Sequence, residues 1–343
     1  MEETKVLIVF TGGTIGSVPE EGFLTPGGEA PRRLLLERFI KEKRAFYEER
    51  FQTKILFETA CPYEILSENL NGRYLDSLWN TVKDAGGYDG IIITTGTDTL
   101  AYSSAAMGYL FADAQVPIIT VSANYPLTHK KSNGFDNFEG AMLLILEGKH
   151  KGVFCSYKNE KEHFIHYATR LLMQNNYSDQ VFSVKDRVYA KIENGKQGLE
   201  CVTEAKERSS DAVPKALLKL KCANLPNIHI YFQRPYPGME FWIPDDCDAI
   251  LMDTYHSGTL PVAFGGFEHF LSEAQKRKIP VFIAGVSRGL NYETVRSYEK
   301  EGVSVLLQAS PAAMYIKLWL LLANGLDAMK YLNISLGNDI VVS

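Results

Sequence analysis

Two loops rich in threonine carry the residues of this chain that could do chemistry. The apolar run Val6-Leu7-Ile8-Val9-Phe10 stops at Thr11-Gly12-Gly13-Thr14-Ile15-Gly16, and Gly90-Ile91-Ile92-Ile93-Thr94 runs into Thr95-Gly96-Thr97-Asp98-Thr99. A buried strand that ends in glycine and threonine presents a side chain at the carboxyl edge of its sheet, where open α/β sheets bind ligands. A threonine hydroxyl is a weak nucleophile that needs a base. Its β-branch restricts rotamers and holds the hydroxyl in place. Gly12 and Gly13 permit backbone angles closed to other residues. Thr14 is expected where the strand turns into a helix, whose free N-terminal amides can hold an anion or a developing oxyanion. Asp98, beside Thr97, can accept hydrogen bonds from a ligand ammonium group. Each segment also reads as a helix cap, Thr14 as N-cap and Thr97-Asp98 as a cap with first-turn charge. Taken together, the two loops point to one site.

The elements that must position these loops alternate between strand and helix. Strands are expected over Lys5–Phe10, Lys54–Thr59, Gly90–Thr94, Val116–Ser122 and Lys151–Ser156. Between them, Leu75–Ala85, Ala101–Ala114 and Phe135–Leu146 have the apolar period of helices. This order predicts a doubly wound, mostly parallel sheet with both faces covered. Val184–Lys215 is polar and irregular, with Asn194-Gly195 and Pro214 as turn signals, and reads as a hairpin-rich extension leading to a linker. A second, smaller α/β pattern follows: strands at Ile228–Gln233, Ala249–Thr254, Pro280–Ala284 and Val303–Leu307, and a closing helix over Ala312–Asn324. The expected domains are 1–221, with its linker from about residue 190, and 222–343.

Bulk properties narrow the function. The 343 residues are 45% hydrophobic and 22% charged, with a net charge of −5. That charge argues against a nucleic-acid partner, which calls for a basic field. Five widely spaced cysteines without a C-x-x-C pair read as reduced thiols. No basic leader precedes the first strand, and the late apolar run Leu318–Ala323 is too short for a bilayer. The expectation is a cytoplasmic protein without a membrane span.

Thr11-Gly12-Gly13-Thr14-Ile15-Gly16 together with Thr95-Gly96-Thr97-Asp98-Thr99 resembles the two signature loops of the bacterial-type L-asparaginases, or asparaginase/glutaminases, closer to the cytoplasmic type I form. The resemblance extends through Ser67-Glu68-Asn69-Leu70, through Ser122, Pro126, Ser132, Gly134 and Asn137, and through Tyr236-Pro237-Gly238 and Tyr255-His256-Ser257-Gly258-Thr259. It implies a two-domain amidohydrolase that converts L-asparagine to L-aspartate and ammonia without cofactor or metal. It also implies a homodimer or homotetramer with a small amino-acid substrate as ligand. In that scheme Thr14 attacks the amide carbon and Thr97 polarises the attacking group. Asp98 holds the α-ammonium, and Ser67 with Glu68 meets the α-carboxylate end.

The chain departs from the pattern at identifiable places. Phe23, in Glu21-Gly22-Phe23-Leu24, stands where the family has a loop tyrosine. Ala168-Thr169-Arg170 matches the stretch where the family has a lysine, and arginine does not serve as a neutral base. Gly285–Val303 is shorter than the family segment that reaches a neighbouring protomer. Tyr63 or Tyr292 could replace the tyrosine, and Lys158 or Lys161 the lysine. A weak or inactive amino-acid-binding protein is therefore the alternative. An amidotransferase subunit, which resembles the same family, is expected to carry a further domain before the first motif.

Other motifs carry less. The first loop has Thr11 in place of the leading glycine of a dinucleotide fingerprint, and the second strand ends near Glu58, too far along for the ribose carboxylate expected about 20 residues on. Gly285-Val286-Ser287-Arg288-Gly289 matches a nucleophile elbow, but the last histidine, His269, precedes Ser287, against the order that fold requires. His256 and His269 lack metal-pair spacing. The spacing of His163 and His166, three apart, could place both on one helix face, and with no further ligand in evidence they read as a solvated or hydrogen-bonded pair rather than a metal site.

Overall fold

The computed structural model describes residues 2–203, 213–263, 266–289, 292–299 and 302–341. The first half contains β1 (Glu2–Phe10), β2 (Ser17–Glu20), β3 (Phe23–Pro26), α1 (Glu29–Phe39), α2 (Ala45–Phe51), β4 (Thr53–Ala60), α3 (Gly72–Lys83), β5 (Gly90–Thr94), α4 (Leu100–Leu110), β6 (Pro117–Val121), α5 (Gly134–Leu146), β7 (Gly152–Lys158), β8 (His163–Tyr167), β9 (Ala190–Gly195) and β10 (Gly198–Thr203). The second half contains β11 (Ile230–Gln233), β12 (Ala249–Met252), α6 (Phe267–Lys276), β13 (Val281–Val286), β14 (Val303–Leu307), α7 (Pro311–Ala323) and α8 (Ala328–Tyr331).

Eight strands form one sheet in the order β10-β9-β8-β7-β6-β5-β1-β4. Strands β4, β1, β5, β6 and β7 run parallel. The last three run antiparallel to their neighbours. The chain leaves β1 for β4 on one side and then returns for β5 on the other. This reversal is a topological switch point, the usual ligand crevice of an open α/β sheet. Strand β5 is buried throughout, whereas the edge strand β4 alternates between covered and exposed positions. The hairpin β9–β10 occupies part of the irregular region expected over 184–215; residues 204–212 lie outside the described residues.

Strands β11-β12-β13-β14 form a second sheet, parallel throughout. One apolar core reaches from Leu7, Ile91 and Met107 in the first half to Leu251, Phe282 and Leu318 in the second. Helix α7 lies between the halves and packs on α4. Its Lys317 is fully buried and is neutralised by Asp339 at 2.7 Å, while its Nζ also donates to the Leu332 and Ile334 carbonyls. Asp339 additionally accepts from Tyr109, Ser335 and the Leu336 amide. Residues 332–339 are thus strapped across α7 and α4.

Two expectations are corrected. No helix follows Thr14: residues Thr14–Gly16 form one 3-10 turn, and the chain enters β2 directly. His163 and His166 lie on β8, not on a helix. On a strand, an offset of three places side chains on opposite faces. His163 bonds Ser156 at 2.9 Å and lies under Gly140 of α5, while His166 bonds Ser183 at 2.8 Å. Burial holds both rings neutral, with pKa values lowered to about 3.

Candidate active site

Register places the two threonine loops side by side. Phe10 of β1 pairs with Thr94 of β5, so Thr11–Thr14 and Thr95–Thr99 leave the sheet as neighbours. Thr11 ties them by donating its hydroxyl to the Thr94 carbonyl at 2.6 Å. On the other side, Gly12 pairs with Ile65 in the loop after β4, and the Gly13 amide donates to the Ile65 carbonyl at 2.9 Å. The switch point therefore gathers three loops.

Glycine sets how closely they approach. Gly13 has φ 71°, a conformation that L side chains rarely adopt, and a Cβ there would lie 2.3 Å from the Gly96 backbone. A Cβ on Gly96 would lie 2.4 Å from both Cβ and Oγ of Ser67. Gly13, Gly96 and Ser67 thus touch, and the residues beside them are brought together: Thr14, Thr97-Asp98 and Glu68. Ser67 donates to Asp98 at 3.4 Å, and Thr99 donates to the Ser67 carbonyl at 3.2 Å. Ser67 is buried, Thr14 and Thr97 are partly exposed, and Asp98 and Glu68 face solvent.

Neither loop is used as a cap. Gly13, not Thr14, precedes the 3-10 turn, and Thr99 precedes α4 without a side-chain cap bond. The Thr14 turn is fixed by the Gly16 amide and the Ser17 hydroxyl, both donating to the Gly13 carbonyl, the latter at 2.8 Å. Gly134, at the start of α5, packs on Ala123, Leu127 and Ile15, which supports the turn from behind. Asn137 donates to the Ser122 carbonyl and accepts from the Lys158 amide, fixing the ends of β6 and β7.

The groups proposed to assist Thr14 and Thr97 fall in particular places. Phe23 lies at the tip of the β2–β3 hairpin and is 76% exposed. That hairpin is rooted at the Thr14 turn, where the Gly27 amide donates to the Gly16 carbonyl, and Glu64 anchors its base through Gly28 and Arg32. The Tyr63 hydroxyl is held by Thr11, and burial pushes its pKa well up. Tyr292 is an exposed residue ahead of a 3-10 turn at Glu293–Tyr298. Lys158 pairs with Asp136 at 3.0 Å, and Lys161 is exposed. Arg170 is buried, donates to the Asn338 carbonyl and lies on the Tyr167 ring. A cavity of about 590 Å³ beside His166 and another of about 390 Å³ at Asp253–His256 lie away from the threonine loops.

Sequence reasoning missed Ser17 and the hairpin. Their signal was present in Glu21-Gly22, a turn pair between two short runs, with both residues at positive φ.

The arrangement defines a class: a doubly wound α/β protein with a hydroxyl- and carboxylate-lined site at its switch point. More particularly, the chain belongs to the asparaginase family, since the family model "Asparaginase, N-terminal" matches residues 5–201. It is similar to a glutamyl-tRNA(Gln) amidotransferase subunit from Metallosphaera sedula, with 26% identity over 354 aligned positions covering 97% of this chain and 75% of that protein. It is also similar to L-asparaginase 1 of Escherichia coli K12, with 26% identity over 149 positions covering 42% of this chain and 41% of that enzyme. The fold matches the thermostable L-asparaginase from Thermococcus kodakarensis, with a TM-score of 0.77 and 22% identity, covering 99% of this chain and 100% of that one. Among the described residues, no helix is long and apolar enough to cross a membrane.

Proposed function

We propose that the chain hydrolyses the side-chain amide of L-asparagine, giving L-aspartate and ammonia, with Thr14 as nucleophile. The observation that carries this reading is the contact of Gly13, Gly96 and Ser67, which brings two hydroxyl loops and a carboxylate to one point of the sheet edge. Thr14 Oγ1 attacks the amide carbon and loses its proton. The tetrahedral intermediate collapses as the amide nitrogen takes a proton and leaves as ammonia. Water then cleaves the resulting ester and restores Thr14. Thr97 polarises the attacking group in each half-reaction. Asp98 accepts from the substrate ammonium, and the Ser67–Asp98 contact fixes its carboxylate. Ser67 and Glu68 orient the α-carboxylate end. The division of the chain at about residue 221 and a homodimer or homotetramer complete the proposal.

The test is ammonia release from L-asparagine and L-glutamine by the purified protein, compared with Thr14→Ala and Thr97→Val. Release that depends on both threonines is expected. Release unchanged in Thr14→Ala overturns the assignment of the nucleophile.

Two specific observations favour other readings. Phe23 has no proton to relay, which favours a protein that binds an amino acid without turnover. In that case aspartate raises the melting temperature while no ammonia appears. The similarity to the M. sedula protein covers nearly the whole chain, which favours a role in amidotransfer. Ammonia release that begins only when a partner protein and charged tRNA are added would establish it.

A further inference from the structure

We propose that Glu147, His150 and Cys201 form a zinc site at the opposite edge of the first sheet from the threonine loops. One donor atom from each residue lies within 4.8 Å of the others, the one such group among the described residues. No local metal pattern announces it, because the third ligand comes 51 positions after the second.

Local structure explains the meeting. Helix α5 ends at Leu146, and Gly148 takes φ 64°, turning the chain back so that His150 returns to Glu147. The His150 Nε2 lies 2.6 Å from Glu147 Oε2. Cys201, on the edge strand β10, bonds the other carboxylate oxygen through its amide at 3.4 Å. The Tyr189 hydroxyl stands 2.6 Å from His150 Nδ1. Nε2 donates to the carboxylate and the Tyr189 hydroxyl donates to Nδ1; an ion that displaces the Nε2 proton leaves Nδ1 to carry it and to donate to the Tyr189 oxygen, the outer-shell arrangement common at histidine ligands.

The donor set is nitrogen, carboxylate oxygen and sulfur, which suits zinc rather than magnesium or calcium. Tetrahedral ligands about 2.0–2.3 Å from zinc stand about 3.3–3.7 Å apart. The ion therefore parts His150 from Glu147 slightly and draws Cys201 inward. Binding breaks the Nε2–Oε2 hydrogen bond and forms bonds from the ion to Nε2, Oε2 and Sγ; the imidazole proton moves to Nδ1 and the thiol proton leaves to solvent. Water takes the fourth position. One contact opposes the ion: Lys149 Nζ lies 3.0 Å from Glu147 Oε2, and its side chain is 61% exposed, so it can swing into water. The ion would clip the edge hairpin β9–β10 to the end of α5.

The experiment uses the full chain, stripped with chelator and titrated with zinc sulfate by calorimetry and with cobalt chloride by absorption. One ion per chain is expected, with a sulfur-to-cobalt charge-transfer band and a rise in melting temperature of about 5 °C at a hundredfold excess over Kd. Cys201→Ser removes the band, Glu147→Gln weakens binding at least tenfold, and Tyr189→Phe weakens it about tenfold. Cys61→Ser, at an exposed cysteine, leaves binding intact. Circular dichroism confirms that each variant is folded. Failure of the parent chain to bind either metal, or binding unchanged in both Cys201→Ser and Glu147→Gln, overturns the proposal.

Discussion

Gly96→Ala separates packing from chemistry at the loop contact. Gly96 is not at positive φ, so its backbone accepts alanine. The added Cβ would lie 2.4 Å from Ser67 Cβ and Oγ and 3.1 Å from the Gly13 Cα. Carbon atoms in relaxed contact stand about 3.5–4.0 Å apart, so Ser67 must retreat by about 1 Å. Overpacking of this kind costs about 1–3 kcal/mol. A shift of about 1 Å in a substrate-positioning group lowers turnover by about a hundredfold. Adding Ser67→Gly removes both clashing atoms. The double variant should recover most of the lost stability but stay impaired in turnover, because the hydroxyl facing Asp98 is gone. Thermal melts with and without L-aspartate, alongside ammonia release, read both quantities. Gly96→Ala with parental melting and turnover would refute the loop contact, and failure of Ser67→Gly to restore stability would place the clash elsewhere.

Other outcomes follow from the same structure. Phe23→Tyr restores a hydroxyl at the hairpin tip and should raise kcat at least tenfold with little change in stability, as the residue is exposed; an unchanged rate removes the hairpin from the proton path. His163 and His166 have pKa values of about 3 in the folded chain against about 6.5 unfolded. Below pH 6.5 the unfolded state binds more protons, so stability is full above that pH and falls toward pH 3. The loss at pH 5 is about 2 kcal/mol per histidine, and denaturant melts at pH 7.5 and 5 check it, with His166→Gln reducing the slope. Lys317→Met leaves Asp339 buried without its cation and should cost about 3–5 kcal/mol, read as a lower denaturation midpoint.

The parallel strands were legible because Val6–Phe10, Gly90–Thr94 and Ala249–Met252 are continuous apolar runs bounded by turn residues. The switch point was legible through its threonines. Of the antiparallel strands, the β9–β10 hairpin was legible through Asn194-Gly195, whereas β8 was not. His163-Phe164-Ile165-His166 gives no strand alternation, and its two buried histidines each take one partner, Ser156 on the neighbouring strand and Ser183 further along. The charged stretch Lys41–Arg50 reads as a solvated helix face and covers most of α2, whereas α1 is hidden by its own charges, since only one face of Glu29–Phe39 is covered. The approach of Gly96 to Ser67 is a long-range fact that local pattern does not carry. Where Arg170 goes was also out of reach, because its acceptor is the carbonyl of Asn338, far along the chain.

The strap over α7 bears on synthesis. Lys317 emerges from the ribosome within a helix otherwise rich in leucine, and its counter-charge follows 22 residues later. Closing the core before Asp339 is in place would bury an unpaired ammonium group, so docking of the two halves waits on the strap. An apolar seam of the nascent protein therefore stays open until residues 332–339 have emerged.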